Sequence, residues 1–237
     1  HDLHAVGVAF HGGSGSSGEG EPTPTGRCII VVTPDAQRTM NTYLGVSSLL
    51  GPDDLDERRI ADGAVLYMEG YLYDRGAAKA AFREAAAIAH ENGRKVSLTL
   101  SDSFCVERHR DDFLSLIDDE VDLLFGNAAE LKALYQTDSF DAALAELRQQ
   151  CPFAAVTASA DGSIIVTPDE MIEVKAHPVP KVIDTTGAGD LYAAGFLFGL
   201  TRGEPLAECG RLGSLAAAEV ISHVGPRPLV ELRTLLN

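Results

Sequence analysis

An α/β fold, with a mostly parallel central sheet covered by helices, is what this sequence predicts, and three observations predict it. Short apolar runs alternate with amphipathic helical stretches over most of the chain. The runs read as strands apolar on both faces, as strands of a parallel sheet between helices are. Polar and glycine-containing segments follow several of them, at the strand ends where open α/β sheets bind ligands. Right-handed crossovers are expected, and no fixed-period repeat interrupts the alternation.

The elements follow in order. Residues 1–10, HDLHAVGVAF, read as the end of a helix and a strand. Residues 11–26, HGGSGSSGEGEPTPTG, are poor in apolar side chains and read as a flexible loop, either an engineered linker or a variable hairpin tip. The Gly12–Gly13 pair does not read as a phosphate loop, because a strand-like segment, Cys28–Thr33, follows it rather than a helix. AVLYMEG (64–70) is a short apolar run. An alanine-rich amphipathic helix spans 75–93, with Asp74 as its expected N-cap and Gly93 as its stop. Then come a strand (95–100), a helix (106–118), a strand (121–126) and two helices (128–136 and 139–150). A strand (153–159), two short strands (163–167 and 171–175) and two helices (188–201 and 205–222) close the chain. Residues 1–26 thus read as an N-terminal segment with a flexible loop, and 27–237 as one domain.

Composition narrows the function. The 237 residues are 45% hydrophobic, enough for one large domain. The formal net charge of −16 repels nucleic-acid phosphates and anionic lipid, so neither is expected as a partner, although a local anion site remains compatible with it. No apolar stretch reaches membrane-spanning length, and the N-terminus lacks a secretory pattern. Cys28, Cys105, Cys151 and Cys209 form no C-x-x-C pair and read as reduced thiols in a cytoplasm.

The chemistry concentrates in DTTGAGDLYAAGFLFGL (184–200). Gly187 and Gly189 carry no side chain to block close approach, and the first amides of the helix that follows lack internal partners. With the helix dipole they make a site for negative charge. Asp190 would repel an anion, so it reads as a base beside the anion hole, taking a proton from a hydroxyl while the amides stabilise a transferring phosphoryl group. A bare G-x-G-D would more simply be a turn and a first-turn carboxylate; the longer D-T-T-G-A-G-D string before an apolar core helix favours function. Asn127, Glu130, Thr157, Ser159 and Gly162 follow other strands at the same edge.

This string resembles the C-terminal signature of the PfkB carbohydrate kinases, the ribokinase-like family that includes adenosine kinases. FGNAAE resembles the family's N-x-x-E element, and VTASADG its nucleotide-loop strand. TPDAQRTMNTYLG (33–45) and AAAEVISHVGPRP (216–228) are similar to bacterial adenosine or sugar kinases, so the likeness runs from about residue 27 to the end. It implies a three-layer ribokinase-like fold, ATP and Mg2+ as cofactors, and a nucleoside or sugar as acceptor. By position it implies Asp190 as catalytic base and Gly187, Ala188 and Gly189 as the anion hole. Asn127 and Glu130 fall where magnesium and phosphate are organised, often through water. Thr157, Ser159 and Gly162 fall at the ATP loop, where many members have glycine in place of Ser159. Asp184 and Thr186 fall where several members bind a monovalent cation such as K+, and Arg38 where an arginine reaches the active site.

Each residue has a plainer reading. Asn127 could cap the helix after it, Glu130 could complement that helix dipole, Thr157 could be a strand residue and Arg38 a surface ion pair. His223 lies near the adenine region of the resemblance, yet a lone histidine is more often packing or surface, and the histidine of CVERHRDD (105–112) reads as lying among solvated charges. The family's opening strand, with its substrate-binding aspartate, and its Gly-Gly acceptor segment have no counterpart here, and the chain opens on His1. The expectation is therefore a chain missing N-terminal elements, a poor kinase alone, with an exposed sheet edge through which it could pair as a homodimer. A nucleotide-binding fragment without activity is one rival. A dinucleotide oxidoreductase is weaker, because no G-x-G-x-x-G follows a first strand.

Overall fold

A computed structural model of the chain describes residues 2–12, 23–151 and 153–236. Most of the glycine-rich loop, residues 13–22, lies outside the described residues.

Helix α1 (Asp2–Ala5) ends where Gly7 turns left-handed, its amide and that of Val8 closing onto His4 and Leu3. The strand expected after it does not form: residues 6–10 join no sheet, and Val6, Val8 and Phe10 stay exposed. Strand β1 (Thr25–Val32) instead pairs with a strand the sequence reading missed, β2 (Arg38–Gly45). A tight turn joins them. Thr33 and Gln37 close it, Asp35 accepts from the Thr33 hydroxyl at 2.5 Å, and Ala36 takes a positive φ of 64°. This antiparallel pair is a sheet of its own. Directly paired residues share a face, so Val32, Arg38, Ile30 and Met40 lie together, and Ile29, Val31 and Tyr43 lie on the other side.

A short helix, α2 (Glu57–Asp62), leads into the main sheet. There β3 (Val65–Glu69), β4 (Lys95–Thr99), β5 (Leu123–Asn127) and β6 (Ala154–Thr157) run parallel in chain order. Antiparallel β7 (Ser163–Val166) and β8 (Met171–Val174) extend the sheet. Between and after the strands come α3 (Gly76–Glu91), α4 (Ser103–Asp119), α5 (Ala128–Tyr135), α6 (Phe140–Gln150), α7 (Ala188–Leu200) and α8 (Leu206–Val220). Each falls within a few residues of its expected span.

Strand periodicity sorts these helices into two layers. Leu124, Ala154 and Val156 face a core containing Phe82 of α3, Phe113 and Leu116 of α4, Leu131 of α5 and Leu144 of α6. Leu123, Phe125 and Ala155 face the other way, onto Tyr192, Ala193 and Phe196 of α7 and Cys209 of α8. Helices α7 and α8 approach closely because Gly195 and Gly213 leave room for each other's neighbouring backbone. The result is the expected three-layer arrangement, with the carboxyl ends of β3–β6 and the start of α7 at one edge.

Two local expectations need correction. Asp74 does not cap α3, whose N-cap is Arg75 without a side-chain bond; the Asp74 carboxylate accepts from His109 at 2.6 Å and Arg108 at 3.3 Å. His109 is accordingly not among solvated charges. Its side chain is 11% exposed and its ring packs on Tyr73 and Phe113, at a point where α4 departs from helical geometry. An ion pair between helices has won over the local cap. Gly93 does end α3, at φ 66°.

Candidate active site

The site is built around the start of α7. Gly187, the residue before the helix, sits at φ 83°, and a Cβ there would stand 2.9 Å from the Pro226 carbonyl oxygen, so glycine is required twice over. No side chain caps the helix; the Ala188 amide closes onto the Thr185 carbonyl at 3.3 Å, and the Gly189 and Asp190 amides are the ones that face a ligand. A Cβ placed on Gly189 would meet nothing within 4 Å, so the space in front of these amides is open. Asp190 follows in the first turn. It is solvent-exposed, yet the surrounding protein pushes its carboxyl above the ordinary range, opposed by the Arg38 charge.

The loop feeding α7 is held rigidly. Asp184 is 1% exposed. One of its oxygens accepts from the Thr186 amide at 2.9 Å and hydroxyl at 2.6 Å, and the other from the Gly225 amide at 2.9 Å. Burial works against its charge, but these bonds and Arg38 win and hold its pKa below the usual value. Thr185, between these anchors, accepts a 2.5 Å hydrogen bond from Nη1 of Arg38. Arg38 thus reaches from the small sheet to the loop before α7.

Asn127 and Glu130 form a reciprocal capping box at the start of α5. Asn127 Oδ1 accepts from the Ala129 and Glu130 amides at 2.9 and 3.0 Å, and Glu130 accepts from the Asn127 amide at 2.9 Å and from its Nδ2 at 2.5 Å. Glu130 is 6% exposed, and burial raises its pKa to about 7 despite the Asn127 amide. Thr157 lies opposite Asn127 in the β5–β6 register, its hydroxyl reaching the Gly126 carbonyl at 3.5 Å. The loop beyond bends at Ser159 (φ 53°) and Gly162 (φ 98°). Gly162 is glycine because the β8 backbone at Val174 presses against it, while Ser159 faces solvent. His223 packs beside Glu219, at 3.4 Å.

The structure adds residues the sequence reading passed over. Glu69 ends β3 on the face shared with Tyr67, whose ring lies 6.0 Å from Phe125, the residue that packs on Phe196 of α7. Its carboxylate accepts from the Ser101 hydroxyl. Burial lifts its pKa to about 7; the Ser101 bond lowers it and the Asp190 charge raises it. Glu69 ends an apolar run at the ligand edge, which was the signal available in sequence. Thr185 lay inside the D-T-T-G-A-G-D string, but nothing there pointed to Arg38.

Among the described residues, no group of three His, Cys, Asp or Glu side chains is arranged to hold a metal. Glu130 nevertheless fits a role near magnesium. It is a hard oxygen donor whose burial disfavours its charge, which a nearby dication would restore. Both its oxygens are engaged by Asn127, which suits contact through water and a metal that arrives with nucleotide phosphates.

Residues 18–232 match the pfkB family carbohydrate kinases. The chain belongs to that family. An adenosine kinase of Sinorhizobium meliloti has a solved structure 51% identical to it, with a TM-score of 0.94 covering 100% of this chain and 71% of that one. An uncharacterized sugar kinase of Archaeoglobus fulgidus is 27% identical over 86% of the chain and 79% of that protein. For adenosine kinase of Saccharomyces cerevisiae the figures are 27%, 85% and 62%, so the chain spans less than two thirds of the yeast enzyme. The family and these relatives are phosphotransferases whose acceptor is a hydroxyl of a nucleoside or sugar.

Proposed function

We propose that the chain transfers the γ-phosphoryl group of ATP to a hydroxyl of a nucleoside, adenosine-like in kind, or of a sugar. Asp190 takes the hydroxyl proton as the oxygen forms its bond to phosphorus and the bond to the departing ADP oxygen breaks. The amides at the start of α7 and the Arg38 guanidinium receive the charge that spreads over the transferring oxygens. Magnesium, when bound with the nucleotide, neutralises phosphate charge; Glu130 and Asn127 would hold its water shell. Thr157, Ser159 and Gly162 would line the nucleotide. The observation that carries this reading is an ionisable carboxyl beside an uncapped, open helix start that an arginine from another sheet faces.

Finer features follow the same reading. A K+ ion beside Asp184 and Thr186 is part of the proposal, although the three hydrogen bonds to Asp184 already satisfy its carboxylate, so its effect would be on rate rather than folding. A homodimer would use the exposed apolar face of Ile29, Val31 and Tyr43. Four free cysteines, three of them buried, suit a cytoplasmic, reducing compartment. Among the described residues no helix is long and apolar enough to cross a membrane.

The test is Asp190→Asn. Turnover with adenosine or a sugar should fall by roughly a hundredfold or more, while ATP still protects the protein against unfolding. Near-normal turnover in the variant would remove Asp190 from the chemistry.

A further inference from the structure

We propose that Thr185 is a positioning residue for phosphoryl transfer, its hydroxyl docking the Arg38 guanidinium at the start of α7. This rests on the kinase reading above. Arg38 and Thr185 are 147 residues apart in sequence, and a 2.5 Å hydrogen bond joins them. Arg38 belongs to β2, whose ladder among the described residues pairs only with β1, and the small sheet is continuous with the main body through the 3-10 helix Val46–Leu49. A long, exposed arginine on such a sheet has many rotamers open to it. Thr185, by contrast, sits on a fixed frame: Asp184 and Thr186 on either side are buried and bonded to each other, and Asp184 is bonded onward to Gly225.

The chemistry of the pair suits a positioning role. A guanidinium has five N–H donors, and docking one on a neutral hydroxyl leaves the others free for phosphoryl oxygens. A carboxylate in place of Thr185 would hold the arginine more tightly and cancel its charge. The docked position is also where the charge is needed, because Arg38 acts electrostatically on Asp184, Asp190 and Glu130.

Two measurements on the full chain decide it. The first needs no activity. Spin labels at Ile29→Cys and Phe104→Cys, both exposed positions, in a Cys28→Ser background report the distance between the small sheet and α4. Cys105, Cys151 and Cys209 are buried and stay unlabelled. The parent should give one narrow distance distribution, Thr185→Val a broadened one, and Thr185→Ser the parent's. The second is kinetic. Thr185→Val should lower kcat about tenfold with the ATP KM within about twofold, Thr185→Ser should restore it, and the losses of Thr185→Val and Arg38→Met should not multiply. An unchanged distribution in Thr185→Val, or fully multiplicative losses, overturns the proposal. A parent that phosphorylates no nucleoside or sugar overturns the kinase reading instead, and the distance measurement alone then decides whether Thr185 docks Arg38.

Discussion

Glu69 shows at the scale of one residue what burial does to a carboxyl at this sheet edge. Its carboxyl braces Ser101, a residue at φ 71°, and burial holds its pKa at about 7 rather than 4.5. A raised carboxyl pKa means that the folded chain binds this proton more tightly than the unfolded one. The stability that comes from keeping Glu69 neutral is therefore present below about pH 4.5 and is lost as pH rises through about 7. Glu69→Gln should shrink the fall in melting temperature between pH 5 and pH 8, measured by calorimetry; an unchanged fall would show that Glu69 does not titrate in this window. Gly187 makes a second case at this scale. Alanine there would need a positive φ and press on Pro226, so Gly187→Ala should cost roughly 1–3 kcal/mol of stability and weaken nucleotide protection with it.

Among elements, α5 shows how a helix cap and the pair proposed to organise magnesium share the same atoms. The Asn127–Glu130 box satisfies three backbone amides at the helix start, those of Asn127, Ala129 and Glu130, and ties Asn127 to Glu130 in both directions. Asn127→Ala should therefore lower stability by about 1 kcal/mol, the usual worth of such a cap, read from denaturant melts. Glu130→Gln keeps the shape and removes the charge. It should raise the magnesium concentration needed for half-maximal activity and, because the new NH2 turns a donor toward Asn127, lower the melting temperature by no more than Asn127→Ala does; a lowered melting temperature with unchanged magnesium dependence would reduce Glu130 to a cap alone. Helix α7 was legible in sequence because its elements are local: a glycine turn, an aspartate in the first turn, and an apolar run. Strand β2 was not. RTMNTYLG is a polar mixture without strict alternation, and it becomes a strand because the turn at Asp35–Ala36 folds it back onto β1. The capping of α3 by Asp74 failed for a related reason, since the Asp74 carboxylate is taken by His109 and Arg108 of α4.

At the scale of the whole molecule, the parts converge on one sheet edge, and a ligand that bridges them should stabilise them together. ATP with magnesium at a hundredfold excess over its dissociation constant should add about 2.7 kcal/mol of apparent stability, and NAD should add none. Protection by NAD but not ATP would reverse the assignment. Much of this architecture was written in local pattern. The apolar runs of β3–β6, the helical stretches between them and the D-T-T-G-A-G-D turn set the fold class and the edge where the site is proposed, because strands, helices and helix starts depend on residues a few positions apart. What only the tertiary structure decided are the pairings between distant segments: Arg38 with Thr185, Asp74 with His109, Glu69 with Ser101 and the face it shares with Tyr67 beside α7. Local pattern tells which face a side chain takes but not which distant residue will stand opposite it. That choice is made when the layers close and every buried polar atom must find a partner.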